Sequence, residues 1–284
     1  MKYGAIVVCG GGCYGGYYVR QLARARAAGA LSFDRVLVVD RDPTCRVARL
    51  IDAISRRDVD AINTHGWRLH RTADDSGAGY EPAYEPAYDG LPIDFVADAW
   101  TAFFSAWFAQ AIENPTCAAT DAVVPSPLMP NLLADWVTER IGVHRAESTV
   151  QRVQLTVTPD TPWSRAGTDG SHYASFATWM CPINCIEPPR CPETRGARDW
   201  TMPAAVFAAV AGASARGSPY DVVALFRTTH RAYGVGMFDV LDAVAADDAI
   251  RGAQSVELRT LVASVSHCHG AMAELVTCPV SSLL

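Results

Sequence analysis

Three cysteines stand within eleven residues in the run Cys181-Pro-Ile-Asn-Cys185-Ile-Glu-Pro-Pro-Arg-Cys191-Pro. The spacing is C-x3-C-x5-C, and Cys181 and Cys191 each precede a proline. Thiolates at short spacing, often beside proline, are the ligand pattern of iron–sulfur clusters. Structural zinc more often uses C-x2–4-C paired with a distant second pair. The segment is therefore expected to hold an iron–sulfur cluster of the [4Fe–4S] type, with zinc as the alternative. The plain reading is three reduced thiols in a proline-rich loop. Arg190, Arg195 and Arg198 lie around the cysteines. They could offset the charge of a thiolate-bound cluster, or bind a carboxylate or phosphate.

A second group of potential ligands follows late in the chain, Ser266-His267-Cys268-His269-Gly270. It follows an apolar strand-like run and is expected to precede a helix. Alternate residues of an extended segment share a face, so His267 and His269 could converge while Cys268 points away. Cys268, expected at a helix N-terminus that favours a thiolate, is the candidate fourth ligand to Cys181, Cys185 and Cys191. It could instead be a redox or nucleophilic thiol. His230 ends another strand-like run. His230, His267 and His269 are the candidates for proton transfer, because imidazole titrates near neutrality.

The third constellation is Gly10-Gly11-Gly12-Cys13-Tyr14-Gly15, a match to G-x-G-x-x-G. It leaves a strand-like run, opens a helix-like one, and is followed by a second strand-like run ending in Asp40, 25 residues after Gly15. Glycines permit a tight turn and close backbone approach to a diphosphate, whose charge the helix N-terminus stabilises. Gly10, Gly11, Gly12 and Gly15 are thus candidates to hold a dinucleotide. Asp40 would accept hydrogen bonds from a ribose diol and repel a 2′-phosphate, which favours NAD over NADP. Arg41 tempers that preference. An S-adenosylmethionine site uses a similar loop and acid, so that alternative stays open, as does a glycine turn with no ligand.

Residues 6–26 with 36–43 resemble the NAD-binding domains of bacterial potassium-transport regulators of the TrkA-N type and of related dehydrogenases. The resemblance covers roughly the first 45 residues well and perhaps 140 loosely. It implies that Gly10, Gly12, Gly15 and Asp40 hold the nucleotide, and implies nothing about the second half.

Positioning these groups requires strands at 5–9, 35–40, 93–96 and 122–124, with helices between them. The candidate helices run from Gly15, from a Thr44 cap, through Trp100, Phe104, Trp107 and Phe108, and from an Asn131 cap. Such alternation implies α/β organisation, a doubly wound Rossmann-type parallel sheet over 1–145. Residues 146–284 are expected to form a smaller, irregular α+β part carrying the cysteines and histidines. Strands are expected at 150–157, 221–226 and 256–265. Helices are expected at 203–210, ended by Gly212, and at 238–246 and 271–276. Residues 159–173 read as loop, and the doubled Tyr-Glu-Pro-Ala at 80–87 as an exposed loop or lid.

Half the 284 residues are apolar, 19% are charged and the net charge is −6. That mix suits a globular protein with a sizeable core and argues against nucleic acid as a partner. The longest apolar stretch, 99–109, falls short of the ~20 residues needed to span a bilayer. It suits a buried helix or a homodimer surface. No secretory pattern is visible, so a cytoplasmic setting with reduced thiols is expected for the nine cysteines. Together these features suggest an NAD(P)-dependent, iron–sulfur-containing oxidoreductase acting on a small molecule. A non-catalytic nucleotide or redox sensor, or an S-adenosylmethionine-dependent transferase, is the alternative.

Overall fold

The computed structural model describes residues 1–65, 88–127, 129, 131–179, 181 and 185–279. The loop or lid expected at 80–87 lies outside the described residues. The chain is mixed α/β, with two mixed sheets and, among the described residues, seven helices.

The first sheet has the order β3-β2-β1-β4-β10-β9. Strands β1 (Lys2–Cys9), β2 (Ser32–Asp40), β3 (Ile93–Ala97) and β4 (Ala122–Val124) are mutually parallel. The Val- and Ile-rich runs of β1, β2 and β4 are buried on both faces. Ile6 and Val8 join a core with Val19 and Leu22 of α1 (Cys13–Ala27), Val47 and Leu50 of α2 (Arg46–Arg56), and Ile62 of α3 (Val59–His65). Val7 and Cys9 face the opposite core. This period-2 division is what a strand covered on both sides requires.

Strands β9 (Thr229–Ala232) and β10 (Val235–Asp239) complete this sheet from after residue 145, with β10 antiparallel to β4. Tyr233 and Gly234 form their two-residue turn, with φ of 49° and 78°. Positive φ at both turn residues matches the right-handed twist of a hairpin.

The second sheet has the order β6-β7-β12-β11-β8, with β5 also paired to β12. Its strands are β5 (Ser148–Val153), β6 (Trp163–Ala166), β7 (His172–Ser175), β8 (Val222–Arg227), β11 (Arg259–Val265) and β12 (His269–Pro279). Helices α4 (Trp100–Glu113), α5 (Leu132–His144) and α7 (Val240–Gly252) supply the core shared by both sheets. Phe108 meets Trp136 at 5.0 Å, Trp136 meets Phe226 of β8 at 6.3 Å, and Phe226 meets Phe238 of β10 at 5.7 Å, all edge to face. Buried side chains of this size each stabilise the fold by roughly 1.5–3 kcal/mol. Helix α6 (Met202–Ala215) covers the other face of the second sheet through Met202 and Val206.

Several expected elements differ. Residues 271–276 are strand, not helix. Ala, Met, Glu and Leu favour helix locally, but pairing with β11, β5 and β7 overrides propensity and buries the segment on both faces. Glu274 is tolerated there because Arg259 Nε donates to it at 2.8 Å and the Thr156 amide and Tyr220 hydroxyl at 3.0 and 2.9 Å. The stretch 159–173 contains β6 and the start of β7. Helix α6 continues through Gly212 to Ala215. Neither Thr44 nor Asn131 caps a helix with its side chain; Thr44 instead donates to Asp42 Oδ1. No helix among the described residues is long and apolar enough to cross a membrane.

Candidate functional site

The glycine loop leaves β1 and enters α1. Gly10 has φ +93°, which favours glycine, and its amide donates to Val39 O at 2.8 Å. A Cβ on Gly15 would lie 1.8 Å from Gly10 O, and one on Gly11 would lie 2.2 Å from Cys45 Sγ. Gly12 differs, because among the described residues nothing lies within 4 Å of the position its Cβ would take. Gly15 thus closes the turn, while Gly12 borders open space. Trp100 Nε1 donates to Val39 O at 2.7 Å, packing its ring against Gly10.

Asp40 ends β2 facing this loop. Its Oδ2 accepts the Gly11 amide at 2.7 Å, and its Oδ1 the Asp42 amide at 3.0 Å. A cavity of about 500 Å³ beside it is lined by Gly12, Asp40, Asp42, Thr44, Arg46 and Arg49 among others. The five residues expected to bind a nucleotide are therefore brought together. Cys9 and Cys45 are buried packing residues, and burial pushes the Cys9 thiol up to about 12.

On the other side of the first turn of α1 lies a larger cavity, about 560 Å³. Tyr14 and Tyr18 line it from α1, and Ser126, Thr228 and Ser266 from just beyond the carboxyl ends of β4, β8 and β11. Trp163 and Tyr173 contribute from the second sheet.

Of the residues expected to do chemistry, Cys181, Cys185, Cys268, His230 and His269 line this cavity. Cys268 points in rather than away. It lies in the turn between β11 and β12, not at a helix N-terminus. His267 does not line it. Its ring Nε2 is buried with no hydrogen-bond partner among the described residues, and its backbone O accepts the Met202 amide at 2.8 Å. Cys191 is buried behind the cavity in a short loop, its amide donating to Gly196 O at 3.0 Å.

Arg198 reaches into the cysteine loop. Its Nη2 donates to Cys185 Sγ at 3.6 Å and its Nη1 to Pro188 O at 2.7 Å. Bonds from Thr194, and then from Arg198, hold the Cys191 thiol below its ordinary value. Burial raises the thiols of Cys181 and Cys268, which stay protonated at neutral pH. All nine cysteines are free. Among the described residues, no three His, Cys, Asp or Glu side chains are grouped so as to hold a metal ion.

Two side chains outside the expected set shape the cavity. Ser175 Oγ pairs with His269 Nδ1 at 2.9 Å at the exposed rim. Glu187, inside the cysteine loop, is only 11% exposed. Its carboxylate meets His230 Nδ1 at 3.2 Å, accepts the Ser266 hydroxyl at 2.8 Å, and accepts the amides of His267 and Cys268 at 3.1 and 3.3 Å. Burial acts to raise its pKa. The bonds from His230 and Ser266, the charge of His230 and the His267 amide outweigh that and hold it at about 2. Nothing in the sequence marks this acid, which stands before two prolines with no periodic neighbour.

Residues 133–278 match the family AF_1314_C, described as "Uncharacterized protein, C-terminal domain". The match covers half of the chain, and the protein belongs to this family. It begins at the start of α5 and takes in the cysteine loop, Glu187, all three candidate histidines and β9–β10. No curated protein and no solved structure matches the chain.

Proposed function

We propose that the protein is a nicotinamide-nucleotide-dependent oxidoreductase acting on a small molecule, built on a Rossmann-type N-terminal unit. The observation that carries this is the first turn of α1. Gly12 on one side borders the cavity beside Asp40, and Tyr14 on the other borders the cavity holding Cys268, His230 and His269. A dinucleotide crossing the turn would have one end in each. The strand order β3-β2-β1-β4, with the glycine turn after β1 and the acid ending β2, supports the same reading.

The residues present fit the group. The close approach at Gly15 keeps the turn tight, and the open space at Gly12 lies where a diphosphate would approach the start of α1. Asp40, already oriented by Gly11, would accept the ribose hydroxyls. The bound nicotinamide supplies the hydride acceptor or donor. His230 takes or returns the accompanying proton at the substrate oxygen, and His269 is held by Ser175 as a second polar group at the rim. Tyr14, Tyr18 and Trp163 flank the chamber. Reduced thiols suit a cytoplasmic setting.

The cysteines do not fit a metal ion as they stand, because the Arg198 guanidinium bonds the Cys185 sulfur and, among the described residues, no three candidate ligands are grouped to hold an ion. The [4Fe–4S] cluster expected at Cys181, Cys185, Cys191 and Cys268 would require Arg198 to withdraw, and no step is routed through it. Equilibrium titration with NADH, NADPH and S-adenosylmethionine tests the proposal. Binding of a nicotinamide nucleotide supports it, and exclusive binding of S-adenosylmethionine would make the protein a transferase. Binding of none would remove the nucleotide reading, and binding without substrate-dependent turnover would leave a sensor.

A further inference from the structure

We propose that Glu187 is the positioning residue of the site. It fixes His230 as the Nδ1–H tautomer, so that Nε2 presents its lone pair to the cavity. This rests on the reading of His230 as the proton-transfer group.

The hydrogen bonding around the carboxylate leaves one arrangement. Backbone amides can only donate, and those of His267 and Cys268 both point at Glu187. The Ser266 hydroxyl lies 2.8 Å from the same Oε1. A buried carboxyl group met by these donors is an ionised acceptor with no proton of its own. The His230 Nδ1 atom, 3.2 Å from Oε2, must therefore carry the hydrogen. In the neutral ring this leaves Nε2 bare.

A second observation concerns the far side of the ring. Gly236 pairs with His230 across the β9–β10 hairpin, and a Cβ there would lie 3.5 Å from His230 Nε2 and 2.8 Å from Thr228 Cγ2. Glycine keeps the approach to Nε2 clear. Among the described residues no protein group bonds Nε2, and His230 lines the cavity.

The backbone of Glu187 is left-handed, with φ +50°, a conformation that non-glycine residues keep only where their surroundings over-determine it. Here the surroundings are three separate segments: the cysteine loop, β9 and the β11–β12 turn. One carboxylate thus sets the position of Cys185 and Cys268 relative to His230 as well as the ring's tautomer.

The test is long-range ¹H–¹⁵N correlation of His230 in labelled protein, without nucleotide, on the basic side of the imidazole titration. The expected wild-type spectrum shows Nδ1 protonated and Nε2 bare. Glu187→Ala should move the proton toward Nε2, and so should Glu187→Gln, whose oxygen takes the place of Oε1 against three donors and whose NH2 then faces Nδ1 as a donor. A wild-type ring protonated at Nε2, or a Glu187→Ala spectrum identical to wild type, overturns the proposal. If Glu187→Ala does not fold, the wild-type and Glu187→Gln spectra decide it. Because no nucleotide is present, failure here leaves nucleotide binding standing, and failure of nucleotide binding leaves this result standing.

Discussion

The carboxylate of Asp40 accepts the amide of Gly11 at 2.7 Å, so acid and loop form one unit before any ligand arrives. Asp40→Ala should both loosen the loop and remove the ribose acceptor. Hydrogen bonds to a charged group contribute about 1.5–3 kcal/mol, which corresponds to roughly a 10- to 100-fold loss of NADH affinity by calorimetry. An unchanged affinity would place the nucleotide elsewhere.

Gly12 and Gly15 separate binding from folding. Gly12→Ala meets no atom of the described residues within 4 Å, so its Tm should stay within roughly 2 °C of wild type while nucleotide affinity falls. Gly15→Ala places a methyl 1.8 Å from Gly10 O and should lower Tm markedly. Equal Tm values for the two variants would contradict the loop geometry.

Asp242 carries a pH signature. Burial, and then the nearby Asp239, raise its pKa from 3.8 to about 6. The folded state therefore keeps a proton that the unfolded chain has lost. Stability from this group falls as pH rises from about 4 to about 6 and stays lower above that. Asp242→Asn should raise Tm at pH 7.5 and flatten the profile across that window. A variant that tracks the wild type at every pH would rule this out.

Arg198 and a metal compete for the Cys185 sulfur. Arg198→Ala should therefore bind zinc more tightly than wild type in a chelator competition. Wild-type protein prepared anaerobically should show an ordinary thiol spectrum. Iron and sulfide near four per chain would restore the cluster at Cys181, Cys185, Cys191 and Cys268.

Phe226 joins the two sheets through Trp136 and Phe238 and is fully buried. Phe226→Ala should cost about 3–5 kcal/mol in denaturant unfolding. A loss below about 1 kcal/mol would mean that the shared core relaxes to fill the cavity.

The glycine loop was legible because its requirement is steric and residue-specific. Only glycine fits against Gly10 O, so the spacing carries the geometry. Cys268 and His230 were legible as reactive types near strand ends. Glu187 was not, since its role arises from three segments distant in sequence and no local pattern records them. Strand β12 was misread because Ala271-Met272-Ala273 favour helix locally and a strand buried on both faces shows no polar alternation. The β9–β10 hairpin was missed because Tyr233-Gly234 occupies a turn that Asn-Gly or Asp-Gly usually announces.

That hairpin has a consequence for synthesis. Strand β4 pairs with β1 on one side and receives β10 on the other only after residue 235 has been made. On the ribosome the nascent N-terminal half must wait with a bare backbone edge, a template for unwanted pairing between chains. A fragment ending at residue 145 would carry the same exposed edge permanently, so truncation there should yield aggregates rather than a free-standing nucleotide module.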